Sequence, residues 1–375
     1  MALHRDGGQK NRLREVALLF LKLGVTAFGG PAVHIAMMEE EVVRRRKWMT
    51  RQDFMDLVGA TNLVPGPNST ELTMHCGRLR AGWPGFFVAG LCFILPAVII
   101  TAVIAWMYQA YGTLPNVQHI LYGIKPAVIG VVFSLVVVLG RNALKSFPLV
   151  ITGVISAIAA MAGVHEIIVL FVAGIAYAFI MSARGTLVLF PFMLLQIAER
   201  FSAGNMQIFW IFLKVGSLLY GSGYVLFAFL DAELVNRGLL TAGQLADAIA
   251  VGQFTPGPVF SSATFIGWQL AGAPGAIAAT AGIFLPAFVF VALLNPLIPL
   301  LRRSKIMSAF LDAVNAASVA LIFSVGVDMA RVSIMDIKTA VIAVAGFAAV
   351  IFFKKLNTAF IIAGGALAGL LLWNL

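Results

Sequence analysis

Charge is what this sequence has least of. Only 11% of its 375 residues are Asp, Glu, Lys or Arg, against about 25% in a soluble domain. No polar stretch is long enough to fold as a soluble domain of its own. Cysteine is nearly absent too: Cys76 and Cys92 have no cluster of partners, which argues against a disulfide framework and a metal centre. The five histidines are scattered. There is no Asp-rich metal motif, no nucleophile beside a base, and no glycine-rich phosphate loop. The chain is therefore not expected to be an enzyme, to hold a metal or cofactor, or to use ATP by itself. A cleavable signal peptide is not expected either. Residues 1–15 are polar, and the first apolar run leads into glycine and charge rather than a small-residue cleavage site.

What the sequence does have is apolar length. Hydrophobic residues make up 61% of it, and runs such as 86–107, 126–140, 274–294 and 356–373 carry no charge. Spanning a bilayer takes roughly 20 apolar residues, so the expectation is an all-α polytopic membrane protein. The net charge of +10 then reads as membrane orientation, with basic residues in short loops beside apolar spans, and no nucleic-acid partner is expected.

One tripeptide occurs twice. "LVPGPNST" at 63–70 and "FTPGPVFS" at 254–261 belong to a longer internal match. "FLKLG" at 20–24 answers "FLKVG" at 212–216, and "FGGP" at 28–31 answers "YGSG" at 220–223. Thr50 and Asp53 answer Thr241 and Gln244, "GWPG" at 82–85 answers "GAPG" at 272–275, and "LPA" at 95–97 answers "LPA" at 285–287. The offset drifts only from 192 to 190. The chain is read as two homologous halves, 1–190 and 191–375, joined by the polar stretch near 196–206.

Each half opens on an apolar segment (16–36, 207–229) and a charged stretch. Two short pieces around PGP follow (53–64 and 68–77; 244–255 and 259–270), then four further apolar segments: 86–107, 119–140, 147–163 and 166–182, or 275–294, 308–327, 338–353 and 356–374. Thr50 and Asp53, like Thr241 and Gln244, read as capping boxes, and Pro67 and Pro258 suit the first position of a helix. Each PGP is expected to join two half-helices in a re-entrant hairpin, because broken backbone at membrane depth must be buried in protein or line a cavity. A kinked full span is the alternative. With re-entrant hairpins each half has about five crossings, an odd number, so the halves form an inverted repeat with both termini outside. The basic residues of 44–51, 78–80, 141–145, 184–200, 302–305 and 354–355 then share one side.

Lys22 and Lys214 fall at the same repeat position inside apolar segments, and an intramembrane charge suggests a functional site. Lys125 matches Asn315 and is expected to snorkel to the interface. A half-helix starting after PGP directs unpaired N–H groups, and roughly half a positive charge, into the interior. Asn68, Ser69 and Thr70, or Ser261 and Ser262, add side-chain donors. Gly29, Gly30, Gly221 and Gly223 allow a second break and close backbone approach. Two inverted halves bring such ends together with Lys22 and Lys214 nearby, a site for a small, multiply charged oxyanion.

The motifs "FLKLGVTAFGGPAVHIAMMEEEVV", "LVPGPNSTELT" and "QFTPGPVFSSATFIGWQLAGAPGA" together resemble the chromate transporter (CHR) family, through both halves, in its long two-domain form. The resemblance implies chromate efflux across a bacterial inner membrane, with chromate treated as a sulfate-like dianion. Gly29, Gly30 and Pro31, Pro65, Gly66 and Pro67, and Pro256, Gly257 and Pro258 match the family's motif positions. "YGSG" departs from FGGP.

Other residues carry two readings. Glu40–Arg44 and Glu41–Arg45 are i,i+4 pairs suited to a solvated helix, while Glu39 and Asp231, at matching positions, are candidates for proton coupling. So is Glu71, one turn into the half-helix after Pro67, though Ser262 replaces it in the second half. His34 and His75 read as packed side chains. Arg78 and Arg80 read as anchors, and the methionines and phenylalanines as lipid-facing and core bulk. The sequence thus predicts a secondary carrier exporting chromate. A sulfate uptake or exchange carrier is the alternative, a membrane enzyme a distant one. A structural or assembly protein leaves the buried breaks and lysines unexplained. The expected partners are the oxyanion, the lipid bilayer and, for assembly, a second copy of the chain.

Overall fold

The computed structural model describes residues 3–181, 204–220, 223–294, 304–353 and 356–373. Among them the secondary structure is entirely helical. The first repeat comprises α1 (Leu3–Thr26), α2 (Pro31–Met38) with a π-helical turn at Glu39–Arg45, α3 (Arg51–Thr61), α4 (Asn68–Tyr111), α5 (Pro115–Ala143), α6 (Phe147–Met161) and α7 (Glu166–Met181). The second runs α8 (Asn205–Leu218), α9 (Leu226–Leu230) with a π turn at Asp231–Val235, α10 (Ala242–Phe254), α11 (Ser262–Leu294), α12 (Lys305–Ser333), α13 (Ile337–Phe352) and α14 (Thr358–Leu372). α4, α5, α11 and α12 are long and apolar enough to cross a membrane, and α6, α7, α13 and α14 are shorter apolar helices. This is a multi-pass membrane protein. The stretch expected to join the halves, near 196–206, lies mostly outside the described residues.

Local signals place the breaks. Thr50 and Thr241 each accept a hydrogen bond from the backbone N–H three residues on, and Asp53 and Gln244 return one, so both expected capping boxes are present. Pro67 and Pro258 sit one residue earlier than expected: each is the N-cap, in extended backbone, and the helix begins after it. The apolar segment 16–36 is not one span. α1 stops at Thr26, the FGGP residues interrupt it, and Pro31 starts α2. The expected helix at 39–45 is π-helical, and it keeps its Glu40–Arg44 and Glu41–Arg45 pairs at 3.6 and 3.5 Å.

α4 is two helices rather than one. Ala81 and Gly82 leave helical geometry, Gly82 with φ +69°, and the arms 68–80 and 83–111 fold back on each other. Gly77 meets Gly85, and a Cβ on Gly90 would lie 3.0 Å from Met74, pairings that run antiparallel. α11 repeats this corner at Ala271 and Gly272, with Thr264 and Thr280 hydrogen-bonded across it at 2.8 Å.

The halves are interlocked. α1 packs on α4, α8 on α11, and α4 on α11. α5 lies against α13 and α14 of the second repeat, and α12 against α6 and α7 of the first. Close helix approach through small residues is expected where lipid supplies no hydrophobic drive between helices. Accordingly, Gly123 of α5 meets the backbone of Gly365 and Gly369. α5 and α12 also touch. Gly140 faces Val319, while Gly326 faces Val132, so these two repeat-equivalent helices run antiparallel.

Candidate functional site

Each PGP turn is buried against the break of the opposite half. The Gly66 N–H donates to the Leu219 carbonyl at 2.7 Å, and the Gly257 N–H donates to the Ala27 carbonyl at 2.9 Å. Leu219 and Ala27 are themselves equivalent, each one residue before the YGSG or FGGP motif. Both glycines have positive φ, +144° and +86°, a region that side chains with a Cβ disfavour. A Cβ on Gly257 would lie 2.8 Å from Ala97, and one on Gly66 3.4 Å from Ala287. Those alanines close the two LPA motifs. Three repeated motifs are thus one reciprocal contact made twice. Tyr224 adds to it, its hydroxyl lying against Gly30, and Nε2 of His34 sits 3.1 Å from the Ala27 carbonyl. Gly223 faces Phe260 and Pro31, whereas Gly221 lies outside the described residues.

Most of the donors expected at the half-helix ends have protein partners. Asn68 donates to the Asn62 side chain at 2.8 Å. Ser261 accepts from Thr101 at 3.3 Å, and Ser262 donates to the Val259 carbonyl at 2.8 Å. Ser69 is buried. What remains beside the first PGP is the Thr70 hydroxyl and the carboxyl of Glu71. Both are fully buried, without a hydrogen-bond partner among the described residues, and the carboxyl reaches back to Gly66.

The two membrane lysines are in matching ion pairs. Lys22 Nζ lies 2.8 Å from Glu41, and Lys214 Nζ lies 2.8 Å from Glu233. Arginines share both carboxylates: Arg45 and Arg46 at Glu41, and Arg237 at 2.9 Å from Glu233. His165 stands 3.7 Å from Glu233. The environments differ. Lys214 is 12% exposed and Glu233 1%, whereas the Lys22 side chain is 54% exposed on the protein surface and Glu41 8%. The Lys22 hydrogen bond, reinforced by Arg46, holds the Glu41 carboxyl below its ordinary value against a smaller opposing effect of burial. Of the other acids, Glu39 pairs with Arg51 at 3.1 Å, and Asp231 is buried.

Sequence reasoning missed a third cluster. Lys125, expected to snorkel, reaches Asp247 at 3.3 Å, and Tyr108 donates to the same carboxylate at 2.7 Å. Asp247 is 2% exposed. The available signal was its repeat mate, Asp56, at the offset that joins the PGP motifs. Arg78 stacks over Trp83 at 4.1 Å, and Arg80 pairs with Glu15 at 2.6 Å, so both are engaged at the hairpin corner. The described residues contain no group of histidine, cysteine and carboxylate side chains placed to hold a metal ion.

Comparison with known proteins adds independent information. The family model described as "Chromate transporter" matches residues 14–179 and again 206–370. A chromate transport protein of Cupriavidus metallidurans is 31% identical, covering 97% of this chain and 94% of that protein. One of Pseudomonas aeruginosa is 30% identical over 94% of this chain and 91% of its own length. An uncharacterized transporter of Methanocaldococcus jannaschii is 26% identical, covering 91% and 90%. No solved structure matches.

Proposed function

Since the chain belongs to the chromate transporter family, we propose that it is a secondary carrier that exports chromate across the bacterial inner membrane. Its two repeats, 1–190 and 191–375, work as an inverted pair. The antiparallel course of α5 and α12 supports the inversion, as does the family model matching twice. Paired inverted repeats with discontinuous helices are a recurrent architecture of secondary transporters, with the substrate held at the repeat interface.

The observation that carries this reading is the reciprocal seating of each PGP on the other half's break. On this reading the positive ends of the two interrupted helices share one buried region. The oxyanion is held there by backbone N–H groups of Gly29, Gly30 and Gly223, beside Pro31, and of the residues after Pro67 and Pro258. Lys22 and Lys214 supply charge from the flanks. Each lysine already faces a carboxylate, so Glu41 and Glu233 occupy the place an oxyanion takes on the ammonium. The arginines that share each carboxylate can hold it when the lysine turns to the anion. Glu71, buried beside Gly66, disfavours an incoming dianion when ionised and admits it when neutral. Glu39 and Asp231 flank these groups.

The test is chromate flux into everted membrane vesicles carrying the protein, with and without a pH gradient and with sulfate as competitor. Chromate uptake that responds to the gradient supports export. Sulfate movement with neither transport of chromate nor competition by it replaces chromate with sulfate as the substrate. Glu71→Gln is expected to alter the pH dependence of flux, and an unchanged profile removes Glu71 from the coupling.

A further inference from the structure

The repeats match in sequence, but one pair of equivalent helices is not equivalently placed. α10 is lodged in the molecule. Leu245, Ala246, Ala248 and Ile249 share one apolar cluster with Val128, Ile129 and Val132 of α5 and Met329 of α12. Asp247 of α10 is fixed there by Lys125 and Tyr108. Its counterpart α3 packs against α4 and the π turn, and leaves Arg51, Gln52, Asp53, Met55 and Asp56 exposed. Met55 is 47% exposed where its mate Ala246 is fully buried.

The wall that receives α10 has a vacant twin. Moving Lys125, Val128, Ile129 and Val132 by the offset of 190 that relates the LPA motifs gives Asn315, Ser318, Val319 and Ile322, and moving Met329 back by it gives Leu139. These five residues, with Asn142 and Ala143, line a cavity of about 170 Å³. Because α5 and α12 are antiparallel, it lies at the opposite end of that helix pair from α10. Its lining is mostly apolar, like the wall around α10, and the buried Ser318 hydroxyl has no hydrogen-bond partner among the described residues.

We infer that this cavity is the receiving site for α3, and that the protein alternates between two conformations. In this one α10 is lodged and α3 is out; in the other α3 docks over this wall, one or two of its side chains entering the cavity, and α10 is released. Lodging α3 brings Asp56 to Asn315, where Asp247 has Lys125. An amide in place of an ammonium makes the α3 seat the weaker one, which accounts for α10 being the helix held here. The inference rests on the carrier reading above in one respect: the exchange is what opens the anion region to each side in turn.

Cysteine pairs test it in full-length protein in membranes, with Cys76 and Cys92 replaced and a protease site engineered between the repeats. Val128→Cys with Ala248→Cys, both in the apolar cluster that seats α10 and leaving Lys125 and Asp247 in place, is expected to crosslink through a short bifunctional thiol reagent, reporting the conformation seen here. Asp56→Cys with Asn315→Cys is expected to crosslink as well, severalfold more when Lys125→Ala weakens the seat of α10. Either crosslink is expected to arrest chromate flux, and a reducible reagent restores it on reduction. In parallel, Ser318→Cys alone is expected to react with a water-soluble maleimide, and to react less when Lys125→Ala is added. Crosslinking of the first pair without the second, or Ser318→Cys labelling that is unchanged by Lys125→Ala, overturns the exchange. If both pairs crosslink in a protein that moves no chromate, the exchange stands and the transport reading fails separately.

Discussion

Lys22 and Lys214 share a sequence position and differ in surroundings, so the same substitution should have unequal effects. Removing one partner of a buried pair strands the other charge, at a cost of roughly 3–5 kcal/mol. At the other pair, Arg45 and Arg46 both stay on Glu41 when Lys22 is removed, so that carboxylate is not left stranded. Lys214→Ala is therefore expected to lower the melting temperature clearly, and Lys22→Ala barely, when both are measured in detergent. Equal shifts would contradict this difference in the surroundings of the two pairs. Glu41 adds a pH dependence. Its carboxyl is held below the ordinary value in the folded protein, so its contribution is complete above the unfolded value and fades as pH falls through the lowered one. Wild type and Glu41→Gln should differ in stability near neutrality and converge in acid; a constant difference would remove the linkage. The lysines were legible in the sequence because they recur at an offset of 192. Glu41 and Glu233 recur at the same offset, but an ion pair between residues 19 apart, across a chain break, has no local periodicity to announce it. The partner of Lys125 was hidden for the same reason: it lies in the other half.

At the scale of elements, caps and breakers carried most of the information. Threonine before a run with Asp or Gln three residues on is a local signal, and both capping boxes formed where expected. Thr50→Ala and Thr241→Ala should each cost about 1 kcal/mol. The larger stability loss is expected at Thr241, whose helix is packed on several sides, and is measured by thermal melting of each variant. The PGP glycines are more demanding. Valine at Gly257 combines a positive φ with a Cβ 2.8 Å from Ala97, and overpacking alone costs roughly 1–3 kcal/mol. Gly257→Val and Gly66→Val should reduce chromate flux per inserted molecule by at least roughly tenfold, the result expected when a seat of about 1.4 kcal/mol is lost. Unchanged flux would mean the turns are ordinary kinks. The reversals at Gly82 and Gly272 were less legible. Each falls at the gap between two short apolar segments, marked by GWPG or GAPG, but nothing local says that the arms on either side fold back on each other.

For the molecule as a whole, the repeat was readable but its purpose was not. The recurring motifs predicted two related halves. They gave no indication that PGP of one half seats on the break of the other, or that LPA is the surface it seats on, because such contacts join residues more than 150 positions apart. The asymmetry between α3 and α10 is further still from the sequence, since equivalent residues occupy different places. In the function proposed above, the interlocked repeats move an oxyanion through the region of the interrupted helices. The most direct test is chromate flux in liposomes containing only the purified protein, comparing wild type with Gly257→Val after confirming equal insertion. The account predicts saturable chromate movement that sulfate competes for and that the variant loses. Chromate movement equal in wild type, variant and protein-free liposomes would contradict it.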